Sequence, residues 1–167
     1  MTNEPVPPTR DELVAALRTS GDEFVRMLQA LPRERFEEGR YEAGWNGRQI
    51  LAHVAAIEWT YPRLLEIPDQ PPSAGGEPPT RAAQGGIDAY NARQVEKRAH
   101  ATVAELLDEF ATNRSATIAA VASAPGELFA TPIRSAGGVT GPLATVIQSV
   151  AVRHVIQHGR DILGERP

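Results

Sequence analysis

Two histidines four residues apart, His154 and His158, stand near the carboxyl end of the chain. A third, His53, stands well upstream. On a helix, the i, i+4 spacing puts both imidazoles on one face, about one turn apart and within reach of one ion. An HxxxH pair alone also fits two buried histidines satisfied by hydrogen bonds. His53 changes that balance, because it too falls on an apolar helical stripe, between Ile50 and Ile57. Neutral imidazole is costly to bury without a partner. A divalent cation is an efficient shared partner, and three histidines would leave positions open for water or substrate, as in a catalytic site. Zinc is the default, with nickel and iron as alternatives that also accept imidazole. The fourth histidine, His100, lies among polar residues and is expected to be exposed.

These residues need helices that meet at one depth. The sequence carries four segments of helical periodicity and no sustained period-two alternation. The first opens on a capping box, Thr9 to Glu12, and continues through Leu13, Leu17, Phe24, Leu28 and Leu31 to a stop at Pro32. The second has Asn46 as N-cap and Gln49 three residues on, then a stripe of Ile50, His53, Val54, Ile57, Tyr61 and Leu64. Pro62 is placed to kink or tighten its end. Six of the fourteen prolines fall from Pro62 to Pro79, with Gly75, Gly76, Gly85 and Gly86 in or beside them. Such a run predicts a long irregular connection, either a surface crossover or a lid.

The third segment starts near Ile87 and passes through Tyr90, Val95 and Arg98. A second capping box, Thr102 to Glu105, predicts a break or restart near His100. Leu106, Leu107, Phe110, Ile118 and Val121 continue it to Pro125. The last segment follows Gly141-Pro142, with Pro142 suited to the first helical turn. Its inner face is Val146, Ile147, Val150, His154, His158 and Ile162, and Gly164 and Pro167 stop it. The expected fold is all-α, an antiparallel four-helix bundle with a long Pro/Gly-rich connection between its second and third helices. One domain spans 1–167, with 1–8 expected to be flexible.

Composition narrows the chemistry. The 167 residues suffice for one core, and net charge is −4. Cysteine is absent, which excludes disulfides, cysteine metal sites and a cysteine nucleophile. An acidic chain with no basic run argues against a nucleic-acid partner. The stretch Ser135–Val152 lacks charge but holds Gly137, Gly138, Gly141 and Pro142, so it predicts a loop feeding a helix and not a membrane span. MTNEPVPPTR lacks the pattern of a signal peptide, and the expected compartment is the cytoplasm.

Taken together, W-N-G-R-Q-I-L-A-H-V around Trp45 and His53, and HxxxH in the last helix, resemble the DinB-like superfamily of four-helix bundles. That superfamily includes bacillithiol transferases and the amino-terminal domain of mycothiol-dependent maleylpyruvate isomerase. The resemblance covers the chain from the first helix to about Ile162. It implies a divalent metal held by His53, His154 and His158, and a homodimer. Ile57-Glu58-Trp59 and Asp88-Ala89-Tyr90-Asn91 resemble the mycothiol-related and colibactin-resistance relatives. Many thiol-transferase members carry a longer histidine and glutamine pattern where this chain has Gly159, Arg160 and Asp161. The specific substrate is therefore open, and no catalytic residue is assigned.

Three further residues are candidates for holding a small-molecule cofactor or substrate. Trp45 could wall the metal pocket or staple the helix entry. Asn91 and Gln94 are three apart and share a face, either at a pocket mouth or in solvent. Glu58 is about 140° around the helix from His53, so a surface or inter-helix salt bridge suits it better than ligation. The leading expectation is a metal-dependent enzyme acting on a small molecule, as a transferase, isomerase or hydrolase. With no cysteine, any thiol must come from a small-molecule partner, which the resemblance suggests is mycothiol or bacillithiol. Arginine-rich, alanine-rich composition leans toward mycothiol. The alternatives are a non-catalytic bundle that sequesters a metal or metabolite, and a dimeric structural module with vestigial histidines.

Overall fold

A computed structural model describes residues 5–39 and 44–164. Residues 1–4, within the amino-terminal run expected to flex, lie outside the described residues, as do 40–43 and 165–167. The chain forms α1 (Arg10–Gln29), α2 (Gly47–Glu58), α3 (Ile87–Lys97) and α4 (Val103–Ser123). The last helix is continuous but has three parts: α5 (Leu143–Ile147), a π-helical turn (Gln148–Arg153) and α6 (His154–Leu163). Both expected capping boxes form, at Thr9 and Thr102, and the expected N-cap Asn46 forms a third with Gln49, each with both reciprocal bonds. They satisfy backbone donors that would otherwise be orphaned at the helix starts. Gly164 takes a left-handed conformation (φ 79°) and ends α6.

α1, α2, α4 and the last helix form the four-helix bundle. Phe24 of α1 meets Phe110 of α4 with ring centroids 4.7 Å apart, at the centre of an apolar core. Helix directions follow from the contacts. Arg10 reaches the Ala124 carbonyl and Arg114 the Leu17 carbonyl, so α1 and α4 run antiparallel. Arg48 bonds the Arg98 carbonyl, Asn113 bonds Ala55, and Thr117 bonds Glu58, so α2 and α4 run parallel. Parallel neighbours need a long return. The connection between them supplies it, with a 3₁₀ segment at Tyr61–Asp69, an irregular run to Gly86, and α3 packed beside α2.

Several local expectations change. α2 ends at Glu58 and tightens to 3₁₀ geometry from Tyr61, where Pro62 removes a backbone donor. The third periodic segment is two helices, broken at Arg98–Thr102, where Arg98 and Thr102 cap opposite ends. Pro142 does not enter the last helix; it caps the helix and ends a strand. The uncharged stretch before it forms a two-stranded antiparallel hairpin, β1 (Pro132–Arg134) with β2 (Thr140–Pro142). The hairpin was invisible to periodicity because each strand is only three residues long. Arg134 also donates to the Pro79 carbonyl, which pins the Pro/Gly connection to the hairpin.

Candidate metal centre

α2 and α6 pack antiparallel and bring the three histidines together. One ring nitrogen from each of His53, His154 and His158 lies within 4.8 Å of the others. The Nε2 atoms of His154 and His158 are 2.9 Å apart. His53 and His158 are buried, whereas His154 is exposed. His154 therefore does not share the core-facing position its place on the apolar stripe suggested. It lines a large open cavity of about 1280 Å³ together with His53, whereas His158 does not line it.

Burial sets the charge of these rings. It lowers the His53 pKa to about 4, with the His154 ring adding to the effect. It lowers His158 to about 3, helped by both neighbouring histidines. Both imidazoles are therefore neutral at pH 7, the form that ligates metal. His158 Nδ1 is buried without a hydrogen-bond partner, and its nearest carboxylate oxygen, on Asp161, is 3.6 Å away. That carboxylate favours a proton on Nδ1 and leaves the Nε2 lone pair facing the cluster.

The donor set fits a divalent cation. Bonds of roughly 2.0–2.1 Å in a tetrahedral zinc site hold their nitrogens about 3.3 Å apart. The His154–His158 pair stands at 2.9 Å and all three nitrogens lie within 4.8 Å of one another, a span that accommodates that spacing.

Trp45 lies against His53 with ring centroids 5.3 Å apart and walls the cavity. Asn91 also lines it. Gln94 does not: its side-chain oxygen accepts from Arg98, which in turn pairs with Glu109 at 2.6 Å. His100 is exposed and away from the cluster. Glu58 is wholly buried and pairs with Arg114 at 2.7 Å, an inter-helix salt bridge. Burial pushes the Glu58 carboxyl up, to about 7, against the pull of Arg114.

Three features escaped the sequence reading. One is the π turn, in which the His154 N–H bonds the Ser149 carbonyl, five residues back. The second is what meets it: Tyr61 Oη donates to the Val150 carbonyl and Arg114 Nη2 to the Ala151 carbonyl, each at 2.6 Å. The third is Asp161. A signal for Arg114 was present, since it falls on the apolar stripe Leu107, Phe110, Thr117, Val121, where a charge demands a buried partner.

The structure is a four-helix bundle in which three imidazoles converge, two of them, His53 and His154, at a cavity wall. The sequence profile of the DinB superfamily matches residues 16–162, and the chain belongs to that superfamily. Its fold is similar to that of a mycothiol-dependent maleylpyruvate isomerase, with 16% identity and a TM-score of 0.72 over 93% of this chain. This chain spans 61% of the isomerase's length. It is also similar to YfiT from Bacillus subtilis, described as a probable metal-dependent hydrolase with an unusual four-helix bundle topology. That match has 12% identity and a TM-score of 0.73, over 99% of this chain and 91% of YfiT. No curated protein matches the chain. Among the described residues, no helix is long and apolar enough to cross a membrane.

Proposed function

We propose that the protein is a metal-dependent enzyme acting on a small molecule, with His53, His154 and His158 as the ligands. One observation carries the proposal: donors from two helices converge at the wall of a cavity large enough for a substrate and a second small molecule. Bound there, a divalent cation would lower the pKa of a thiol or water and make it a nucleophile at neutral pH. Zinc is the first candidate, then nickel or iron.

The chain's own residues define what the pocket can take. Trp45, Trp59, Tyr61 and Tyr90 give it apolar faces. Among the described residues, Arg63, Arg81 and Arg153 line it with one carboxylate, Asp88, and Arg81 is paired with Glu66 at 3.1 Å. A substrate with an apolar body and negative charge suits that wall. Asn91 can orient a polar group at the mouth. With no cysteine present, thiol chemistry here would use an exogenous thiol. The likeness to a mycothiol-dependent isomerase supports mycothiol as the first thiol to test. The reading also includes a homodimer, which the family resemblance suggests and light scattering can check, and a cytoplasmic location, which the signal-free amino-terminal sequence suggests.

The test begins with untagged protein. Elemental analysis should find near one divalent ion per chain. Metal-loaded protein is then mixed with electrophiles and mycothiol, bacillithiol or water. Conjugation, isomerisation or hydrolysis identifies the reaction. Saturable binding without product would replace the enzyme with a sequestering protein.

A further inference from the structure

The buried polar atoms of Glu58, Arg114 and the Tyr61 hydroxyl have no role in the function proposed above, in which only the Tyr61 ring counts as a pocket face, yet they converge on the helical turn that precedes His154. All three side chains are nearly inaccessible: Glu58 0%, Tyr61 3%, Arg114 4% exposed. Burying that much polarity demands a return. Salt-bridge stability alone does not explain the direction in which the donors point. Arg114 spends Nη2 on the Ala151 carbonyl as well as on Glu58, and Nη1 on Leu17 and Ser20 of α1. Tyr61 spends its hydroxyl on Val150. Both acceptors lie inside the π turn.

The geometry of that turn explains why it matters. A π turn accommodates one extra residue, so everything downstream is rotated by roughly 100° relative to a regular helix. Without it, the phase set by Leu143, Ala144, Val146 and Ile147, all buried, would carry His154 to the middle of the core face. With it, Val155, Gly159 and Ile162 take the core, His158 moves to the edge of that face, and His154 turns out to the cavity. A π turn is less favourable than an α turn, and it disturbs the helix's own carbonyl pairing. Side-chain donors from outside the helix offset that cost.

We infer that Tyr61 and Arg114, the latter held by Glu58, are positioning residues that clamp the π turn open and so set His154 at the cavity beside His53 and His158. This inference rests on the reading of the three histidines as a metal site. It assigns the buried polar group a task that packing would not need.

The experiment compares wild type, Tyr61→Phe and Val121→Ala in the full chain. Tyr61→Phe removes one hydroxyl and keeps the ring. Val121→Ala leaves a small cavity in the core, removes no polar contact to the turn, and controls for lost stability. Two readouts are taken: Co²⁺ titration followed by its visible absorption bands, and amide exchange across residues 150–154. In Tyr61→Phe, the unpaired Val150 carbonyl should weaken Co²⁺ binding by about tenfold and shift the bands, with exchange about tenfold faster at those amides. In Val121→Ala the bands and the local exchange should stay as in wild type. Arg114→Lys, which keeps the charge but loses the forked contact to Ala151 and Glu58, should resemble Tyr61→Phe. Wild-type bands and unchanged local exchange in Tyr61→Phe would overturn the clamp. If wild type gives no Co²⁺ bands, the metal reading falls alone, and amide exchange still decides whether Tyr61 holds the turn.

Discussion

The two halves of the bundle are built differently. Where α1 meets α4, the contact is mainly apolar, centred on Phe24 and Phe110, and both helices are regular from cap to end. Where α2 meets the last helix, His53, Glu58 and His158 are buried, Arg114 reaches in from α4, and the helix itself is widened. Apolar burial stabilises without directional demand. Buried polar groups must each find a partner, so they cost stability and fix geometry instead. The contrast teaches where the fold is held and where it is aimed.

The largest predicted effect breaks that contrast at its functional end. His154 is exposed, so His154→Ala should leave the fold intact. Metal content should nevertheless fall from near one ion per chain to near zero. Elemental analysis of untagged protein, with circular dichroism melts alongside, checks both halves of the claim. Retained metal at wild-type level would remove His154 from the ligand set.

Next in size is the buried ion pair. Glu58→Ala leaves the Arg114 guanidinium buried without its counter-charge, and arginine cannot shed its proton. The expected cost is about 3–5 kcal/mol of folding stability, read from denaturant melts. Arg114→Met should cost less, because a buried carboxyl can take up a proton and become neutral. Equal costs would mean that the pair behaves as ordinary packing, like the apolar half.

Asp161→Asn should have a smaller effect, confined to the metal. Removing the negative charge near His158 Nδ1 should weaken metal binding by about tenfold and leave thermal stability nearly unchanged. Competition with a chelator of known strength measures it. An unchanged affinity would show that His158 keeps its tautomer without that carboxylate.

How much of this was legible in the sequence follows the same division. Periodicity found the bundle because Leu13, Leu17, Phe24 and Leu28 repeat at helical spacing and are buried in the structure. The capping boxes at Thr9, Asn46 and Thr102 marked helix starts, since their chemistry is local. The three histidines were found by type and spacing, and the structure gathers them. Their orientation was not legible. A π turn leaves no local pattern in Gln148–Arg153; it depends on Tyr61 and Arg114, distant in sequence. Asn91 and Gln94 share a helix face, yet only Asn91 lines the cavity, because Arg98 draws Gln94 away. Tertiary partners decide such cases.

The finest prediction concerns acid. In the metal-free protein, His53 and His158 are neutral when folded down to about pH 4 and 3, but take up protons near pH 6.5 when unfolded. Unfolding therefore binds protons in that window, and their contribution to stability is lost as pH falls below 6.5. Glu58 has the opposite sign. Its folded pKa of about 7 lies above the unfolded 4.5, so its protonation favours the folded state as pH falls between those values. From pH 6.5 to 4.5 the carboxyl offsets one of the two histidines. Below 4.5 that offset is exhausted and both histidines act until their folded pKa values are reached. Melting temperature should decline gently to pH 4.5 and more steeply to about pH 4. Glu58→Gln should remove the offset and steepen the upper window, while Val121→Ala, which removes only apolar atoms, should lower the whole curve without changing its shape. A wild-type profile that is flat from pH 6.5 to 4 would show that the histidines are not held neutral by burial, and the difference between the two halves would then be one of packing rather than charge.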